Sequence, residues 1–123
     1  MVQNKVLDVV KSDKVRVYVV WTPVLSEDDG KAADKAVEAV PDDRAMHFWD
    51  DDKSLGFSLG KTVTLPRGRK LAWDVYFVFD AKAEWGDAPP TPQFWMHQLA
   101  NDNRKLDGEK LRMAVEKFLG ASE

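Results

Sequence analysis

The chain has 123 residues, of which 44% are hydrophobic and 32% charged, with a formal net charge of -3 at pH 7. We therefore expect residues 1–123 to form a single globular domain, and the interspersed charges argue against a broad nucleic-acid or anionic-membrane surface. The sequence has no cysteine, which excludes disulfides, thiol catalysis and thiolate metal sites.

Nothing in the sequence indicates a membrane or a targeting segment. The longest apolar run, Val17–Trp21, is too short to span a bilayer, and the first residues do not have the pattern of a signal peptide. We therefore expect a cytoplasmic protein by default, or a periplasmic one if a leader has been removed.

Apolar patterning predicts alternating helices and strands in the first half of the chain. A short helix is predicted over Asn4–Ser12, and an apolar strand, β1, over residues 15–21. A helix capped by Ser26 is predicted to end at Val40, and a second strand, β2, spans Ala45–Asp50. A strand, a helix and a strand with this spacing imply a parallel pair of strands and a right-handed crossover.

The second half predicts a short helix over residues 52–60, a strand β3 over Trp73–Phe79 and a strand β4 over Gln93–Leu99. Because no helix separates the last two strands, they should pair antiparallel. A final helix is capped by Asp107, with Gly120 past its end. The expected core follows from strand centrality and helical spacing: Val17, Val19, Trp21, Phe48, Tyr76, Val78, Leu111, Val115 and Phe118.

Three segments of the chain resemble the thioredoxin-like superfamily, including its bacterial members. These are the lead-in Ser12–Lys14, the strand end and turn Trp21–Leu25, and the aromatic run Tyr76–Asp80. The order of the predicted elements is also that of the superfamily. The resemblance implies an α/β three-layer sandwich with a central mixed four-stranded sheet, in the order β2-β1-β3-β4, and helices on both faces.

Both halves of the redox site of that superfamily are missing. Thr22 and Leu25 stand where its two cysteines follow the tryptophan, and Asp74 stands where it has a cis-proline. A non-proline cis bond costs about 2.5–4 kcal/mol, so we expect a trans bond at Asp74. The resemblance therefore implies a non-redox member that is not a thiol–disulfide oxidoreductase.

One candidate ligand site lies at an edge of the expected sheet. Ligands of open α/β sheets bind beyond the carboxyl ends of parallel strands, and this sheet would bring aromatic, hydroxyl and carboxylate groups there. The residues are Trp21, Thr22, Pro23, Trp49, Asp50, Asp51, Trp73 and Asp74. They would suit a cationic, amine or sugar ligand, or a hard cation. The structural alternative is that Asp50–Asp52 cap the short helix and Asp74 bonds to turn amides.

A second candidate is the long loop before β4. Trp85, Phe94 and Trp95 would form an exposed patch for a partner, unless the loop folds back onto the sheet. The two histidines, His47 and His97, are too few for a metal site and are expected to be structural, so no metal or other cofactor is expected.

Two other motifs are weak. Gly60–Thr62 is similar to the end of a phosphate-binding P-loop, but Leu55 stands where the first glycine belongs. Arg67, Arg69 and Lys70 predict a solvated basic turn, because three charges are weak support for nucleic-acid binding.

Two functions remain open. The first is a non-redox binding or interaction module for an unknown protein or small molecule, as a monomer or homodimer, with no nucleic-acid or membrane partner. The alternative is a hydrolase- or lyase-type enzyme that uses the carboxylates at the sheet edge. Catalytic carboxylates would lie in a cleft with raised pKa, whereas capping carboxylates accept bonds from backbone amides.

Overall fold

A computed structural model describes residues 2–22 and 40–121 of the chain. Four strands and three helices lie within these residues. The strands are β1 (Val17–Trp21), β2 (Ala45–Trp49), β3 (Val75–Val78) and β4 (Phe94–His97), and the helices are α1 (Val2–Leu7), α2 (Ser54–Gly60) and α3 (Gly108–Ala121). A turn of 3-10 helix, Pro66–Gly68, lies between α2 and β3. The helix predicted from Ser26 lies outside the described residues.

The strands form two separate two-stranded sheets. β1 and β2 are parallel, with Val17 opposite Ala45, and β3 and β4 are antiparallel, with Val75 opposite His97. Both predicted pairings are confirmed. The central four-stranded sheet expected for a thioredoxin-like sandwich is wrong, because across residues 2–22 and 40–121 no hydrogen bonds join β1 to β3.

The segment before β3 also differs from the prediction. The strand was predicted to begin at Trp73, but the N–H of Ala72 donates to the Gly56 carbonyl (3.0 Å) and the N–H of Gln98 donates to the Asp74 carbonyl (2.9 Å). Asp74 also has a left-handed φ of 54°, which interrupts an extended strand. β3 therefore begins at Val75, and the chain just before the predicted strand bonds to α2. Side-chain alternation indicates a strand without selecting its neighbour.

The main core lies between the β3–β4 sheet and the helices α1 and α3. Its buried side chains are Val6, Val78, Met96, Leu111 and Ala114. A second cluster contains Leu65, Trp95 and Leu99. Because successive residues of a strand face opposite sides, Met96 and Trp95 belong to different clusters. Both faces of β4 are therefore covered.

The predicted core is confirmed at one residue of β3 and one of α3. Val78 and Leu111 are buried. The residues that are only partly buried are Val17, Val19, Trp21, Tyr76, Val115 and Phe118. Phe48 was predicted wrongly: it is 45% exposed, and its ring stacks on the exposed Tyr18 with centroids 6.2 Å apart. Burial alternates along β2, and Phe48 falls on the outer side.

The observed limits of α3 match the prediction at the N-terminal end of the helix only. Asp107 Oδ1 accepts the N–H groups of Glu109 (3.0 Å) and Lys110 (3.1 Å), so the predicted cap is confirmed. The helix continues to Ala121, which places Gly120 inside the last turn rather than past it.

Helix α1 begins and ends earlier than the predicted range Asn4–Ser12. It has π-helical hydrogen bonding, in which the N–H of Asp8 donates to the carbonyl of Gln3, five residues before it (2.8 Å). The N–H of Val10 then donates to the Val6 carbonyl (2.8 Å). The helical turns therefore close before the chain reaches β1.

Arg44 joins the region after α1 to the start of β2. Its guanidinium donates to the carbonyls of Leu7 (2.7 Å), Val10 (2.5 Å) and Ser12 (3.0 Å). It also pairs with the Asp42 carboxylate at 2.9 Å, and both side chains are mostly buried. One side chain therefore donates hydrogen bonds to three carbonyls of the N-terminal segment.

The Asp42–Arg44 pair makes the free energy of unfolding depend on pH in the acidic range. Hydrogen bonds from the Arg44 side chain and backbone hold the pKa of Asp42 well below its ordinary value of 3.8. A carboxylate with a lowered folded pKa contributes fully above its unfolded pKa, and its contribution is lost as the pH falls toward the folded value. We expect the difference in unfolding free energy between the wild type and Asp42→Asn to be constant from about pH 7 to pH 5, and to shrink below about pH 4.

Urea unfolding at several pH values measures this difference. Asp43→Asn, at the exposed neighbouring position, is the control and should differ little from the wild type throughout. A difference for Asp42→Asn that stays constant down to about pH 2.5 would contradict the assignment.

Candidate functional site

The predicted sheet edge is present at the ends of β1 and β2, but its buried carboxylate is structural. Trp21 lies opposite Trp49, and the N–H of Asp50 donates to the Trp21 carbonyl (2.8 Å). The Asp50 side chain is 9% exposed and accepts the N–H groups of Leu55 (3.3 Å) and Gly56 (2.9 Å). It therefore holds the first turn of α2.

The other residues of this edge differ in exposure and in their contacts. Asp51 is exposed, and Asp52 accepts the N–H of Ser54 (3.0 Å), an interaction that lowers the pKa of Asp52. Thr22 is half-buried at the end of β1. Pro23 lies outside the described residues.

Trp73 and Asp74 lie in the turn before β3. Both side chains are exposed, and the peptide bond at Asp74 is trans, as predicted. Partial desolvation of the Asp74 carboxyl raises its pKa. They were grouped with Trp21 only because a four-stranded sheet would bring β3 beside β1. Because β1 and β3 belong to separate sheets, nothing in the strand order places Trp73 and Asp74 beside Trp21.

The predicted partner patch does not form one exposed surface. Trp85 is 55% exposed and packs edge-on against Phe79, with ring centroids 5.3 Å apart. Phe94 packs against the main core. Trp95 is buried, and the Arg104 guanidinium lies 4.6 Å from the centroid of its ring. Of these three side chains, Trp85 alone is mostly exposed to solvent.

Both ring nitrogens of each histidine have hydrogen-bond partners. His47 Nδ1 accepts the indole N–H of Trp21 (3.1 Å), so its Nε2 donates to the Val40 carbonyl (3.1 Å). His97 Nδ1 accepts the N–H of Leu99 (3.1 Å), and its Nε2 lies 3.0 Å from the Asp102 carboxylate. These contacts orient the two rings structurally.

The loop that follows His97 borders a cavity of about 390 Å³, which a single cation, Lys105, lines.

Helix α2 lies against residues 70–72 through two glycines. A Cβ atom on Gly60 would lie 1.9 Å from the Lys70 carbonyl oxygen, and one on Gly56 would lie 2.6 Å from Leu71 Cδ1. The N–H of Ala72 donates to the Gly56 carbonyl (3.0 Å). The glycines are one helical turn apart and share a face, so they let the basic turn approach the helix.

A cleft of about 460 Å³ opens between α2 and this turn. We call it the basic cleft, and it is lined by Phe57, Gly60, Lys61, Arg69 and Lys70. Phe57 and Lys61 are four residues apart and therefore lie on the same side of α2. The phenyl side chain is 44% exposed, and the three cations are also exposed.

The basic cleft concentrates positive charge in an acidic chain. Residues 53–73 contain five Lys and Arg residues and no Asp or Glu, although the whole chain has a charge of -3. Within the part of the chain that the structure describes, ion pairs join Arg44 to Asp42 and Arg112 to Glu116, and His97 Nε2 contacts the Asp102 carboxylate. In that part of the chain, no carboxylate pairs with a cation of the cleft.

Two carbonyls near the end of α2 already have hydrogen-bond donors. The N–H of Lys61 donates to the Ser58 carbonyl (3.3 Å), and the N–H and hydroxyl of Thr62 donate to the Leu59 carbonyl (3.1 and 2.6 Å). Cations near a helix C-terminus often interact with its unbonded carbonyls, but here backbone and hydroxyl groups donate to the Ser58 and Leu59 carbonyls. Gly60–Thr62 ends a helix instead of beginning one, which again excludes a P-loop.

Sequence reasoning missed the basic cleft. It interpreted Arg67, Arg69 and Lys70 as a solvated turn and did not connect them with Lys61. The acid-free run over residues 53–73 was the signal in the sequence. The approach of α2 to the turn, which brings these charges together, depends on tertiary packing.

Comparison with family models, curated proteins and solved structures gives no match for this chain. Membership of the thioredoxin-like superfamily therefore stays a prediction. Within residues 2–22 and 40–121, no three His, Asp or Glu side chains are grouped to hold a metal ion. None of the described helices has both the length and the apolar character needed to cross a membrane.

Proposed function

We propose that this protein is a binding module that takes an anionic ligand in the basic cleft. The observation that supports this is the convergence of Lys61, Arg69 and Lys70 on one cleft, with no carboxylate paired to them among the described residues. Arginine offers a planar pair of donors to a phosphate or carboxylate, and lysine a compact charge. Clustered charges of one sign also attract a ligand of the opposite sign.

The alternative function, an enzyme that uses the carboxylates at the sheet edge, has weaker support. Acid–base catalysis needs a carboxylate that is free to exchange a proton with the substrate. The Asp50 carboxylate accepts two backbone N–H groups of α2, and that of Asp52 accepts the N–H of Ser54. These are the contacts of helix caps. Asp74, whose pKa is raised, lies exposed in the turn before β3, so the geometry favours binding over catalysis.

Inorganic pyrophosphate is a suitable first probe, because its charge is dense and it has no apolar part. We expect it to raise the Tm of the protein and to bind measurably by calorimetry at low ionic strength. Binding should weaken as salt is added, because the cations are exposed. Arg69→Gln should weaken binding by about tenfold or more, since a hydrogen bond to a charged group contributes about 1.5–3 kcal/mol.

Lys110→Gln is the matched control, because it removes an exposed cation from α3, away from the residues that line the cleft. It should leave pyrophosphate binding unchanged. Equal losses for Lys110→Gln and Arg69→Gln would show general charge attraction instead of a site. Failure of pyrophosphate to bind at low salt would reject the proposal.

A further inference from the structure

We infer that the ligand of the basic cleft is a free nucleotide that carries at least two phosphates, with its base on Phe57 and its phosphates on Lys61, Arg69 and Lys70. This inference rests on the proposed function and identifies the chemical class of the ligand. Its basis is the presence of an exposed aromatic ring and three cations in the same cleft.

Phe57 lies outside the two core clusters of the described residues. It belongs to neither hydrophobic cluster, and its side chain is 44% exposed. Each ring-to-ring contact found in the described residues joins other side chains. A phenyl face open to a cleft can stack on a nucleobase, because every base has a π-face.

The basic cleft combines one aromatic side chain with three cations. Phe57 and Lys61 line the cleft from α2, and Arg69 and Lys70 line it from the turn. The volume of about 460 Å³ lies in the range of pockets for small molecules and cofactors. A ligand that suits this cleft carries both an aromatic ring and a dense negative charge.

The number of cations favours a diphosphate or triphosphate. A phosphate monoester carries about -1.5 to -2 charges at pH 7, so a monophosphate leaves part of the charge of three cations unmatched. A second phosphate brings the ligand charge close to that of Lys61, Arg69 and Lys70. We therefore take ADP as the probe for this class.

The test compares ADP with pyrophosphate by calorimetry on the full chain. The wild type should bind ADP about tenfold more tightly than pyrophosphate, because the base adds stacking to the same charge. Phe57→Leu should lower ADP affinity by about tenfold and leave pyrophosphate affinity within about twofold. Phe57→Tyr keeps the ring and should keep ADP binding.

Phe48→Leu is the matched control, since Phe48 is also an exposed phenylalanine, 45% exposed on β2. It should bind both probes as the wild type does. Circular dichroism of each variant checks that the fold is retained.

The outcomes separate this inference from the proposed function. If pyrophosphate binds and ADP binds no more tightly, or if Phe57→Leu lowers both affinities equally, the nucleotide inference is overturned and anion binding stands. If neither probe binds, both are rejected. If a single-stranded oligonucleotide of about ten residues binds at least about tenfold more tightly than ADP, the ligand is a nucleic acid and the inference of a free nucleotide is overturned.

Discussion

Gly60→Ala is expected to lower the free energy of unfolding by about 3 kcal/mol, at the upper end of the cost of over-packing. The added Cβ would lie 1.9 Å from the carbonyl oxygen of Lys70 and 2.9 Å from its carbonyl carbon. Both atoms are backbone, so no side chain can rotate away to make room. The helix or residues 70–72 must shift, and the shift opens the wall of the basic cleft. Urea unfolding measures the loss of stability.

Gly120→Ala is the control for this substitution. Gly120 lies in the last turn of α3, and no atom lies within 4 Å of the position that its Cβ would occupy. There alanine should stabilise the protein by about 0.5–1 kcal/mol, because glycine is the more flexible residue in the unfolded chain. A loss below about 1 kcal/mol for Gly60→Ala would mean that α2 does not lie against residues 70–72.

Leu111→Ala is expected to cost about 2–5 kcal/mol, the range for truncating a buried leucine. Leu111 is 5% exposed and lies in the main core with Val6, Val78 and Met96. It therefore connects α3 with α1 and with both strands of the β3–β4 sheet. Truncation would leave a cavity where these four elements meet. Thermal or urea unfolding gives the value.

Met113→Ala, two residues further along the same helix, provides the comparison. Its side chain is 59% exposed, and alanine is a good helix former, so stability should change by less than about 0.5 kcal/mol. Equal effects at positions 111 and 113 would show that α3 does not present the face observed here to the sheet.

The basic cleft and the predicted sheet edge are built in different ways. The edge was inferred from strand ends, where the chain direction alone places residues together. The basic cleft instead joins a helix face to a turn, and the contact depends on Gly56 and Gly60. In the sequence these glycines indicate only a weak helix. In the structure they permit the approach that gathers Lys61, Arg69 and Lys70.

The carboxylates of the edge show the same dependence on context. Asp50 and Asp52 were candidates for either a site or helix caps, and the sequence left both open. Their contacts with the N–H groups of Ser54, Leu55 and Gly56 make them caps. The choice depends on where α2 begins relative to β2, which side-chain chemistry alone does not determine.

The sequence by itself determined the local elements of this protein. Residue spacing located all four described strands, the helix α2 and the capped helix α3, and connection type predicted which pair is parallel and which antiparallel. These features depend on interactions between residues close in the chain, or on the presence of a helix between two strands. What only the tertiary structure decided was which strand edges meet and which polar groups are left without partners. A strand edge has the same backbone donors and acceptors whatever its neighbour, so the residue pattern of β3 does not select β1 as its partner. For the same reason, the cations that line the basic cleft became recognisable as a group only when α2 packed against residues 70–72.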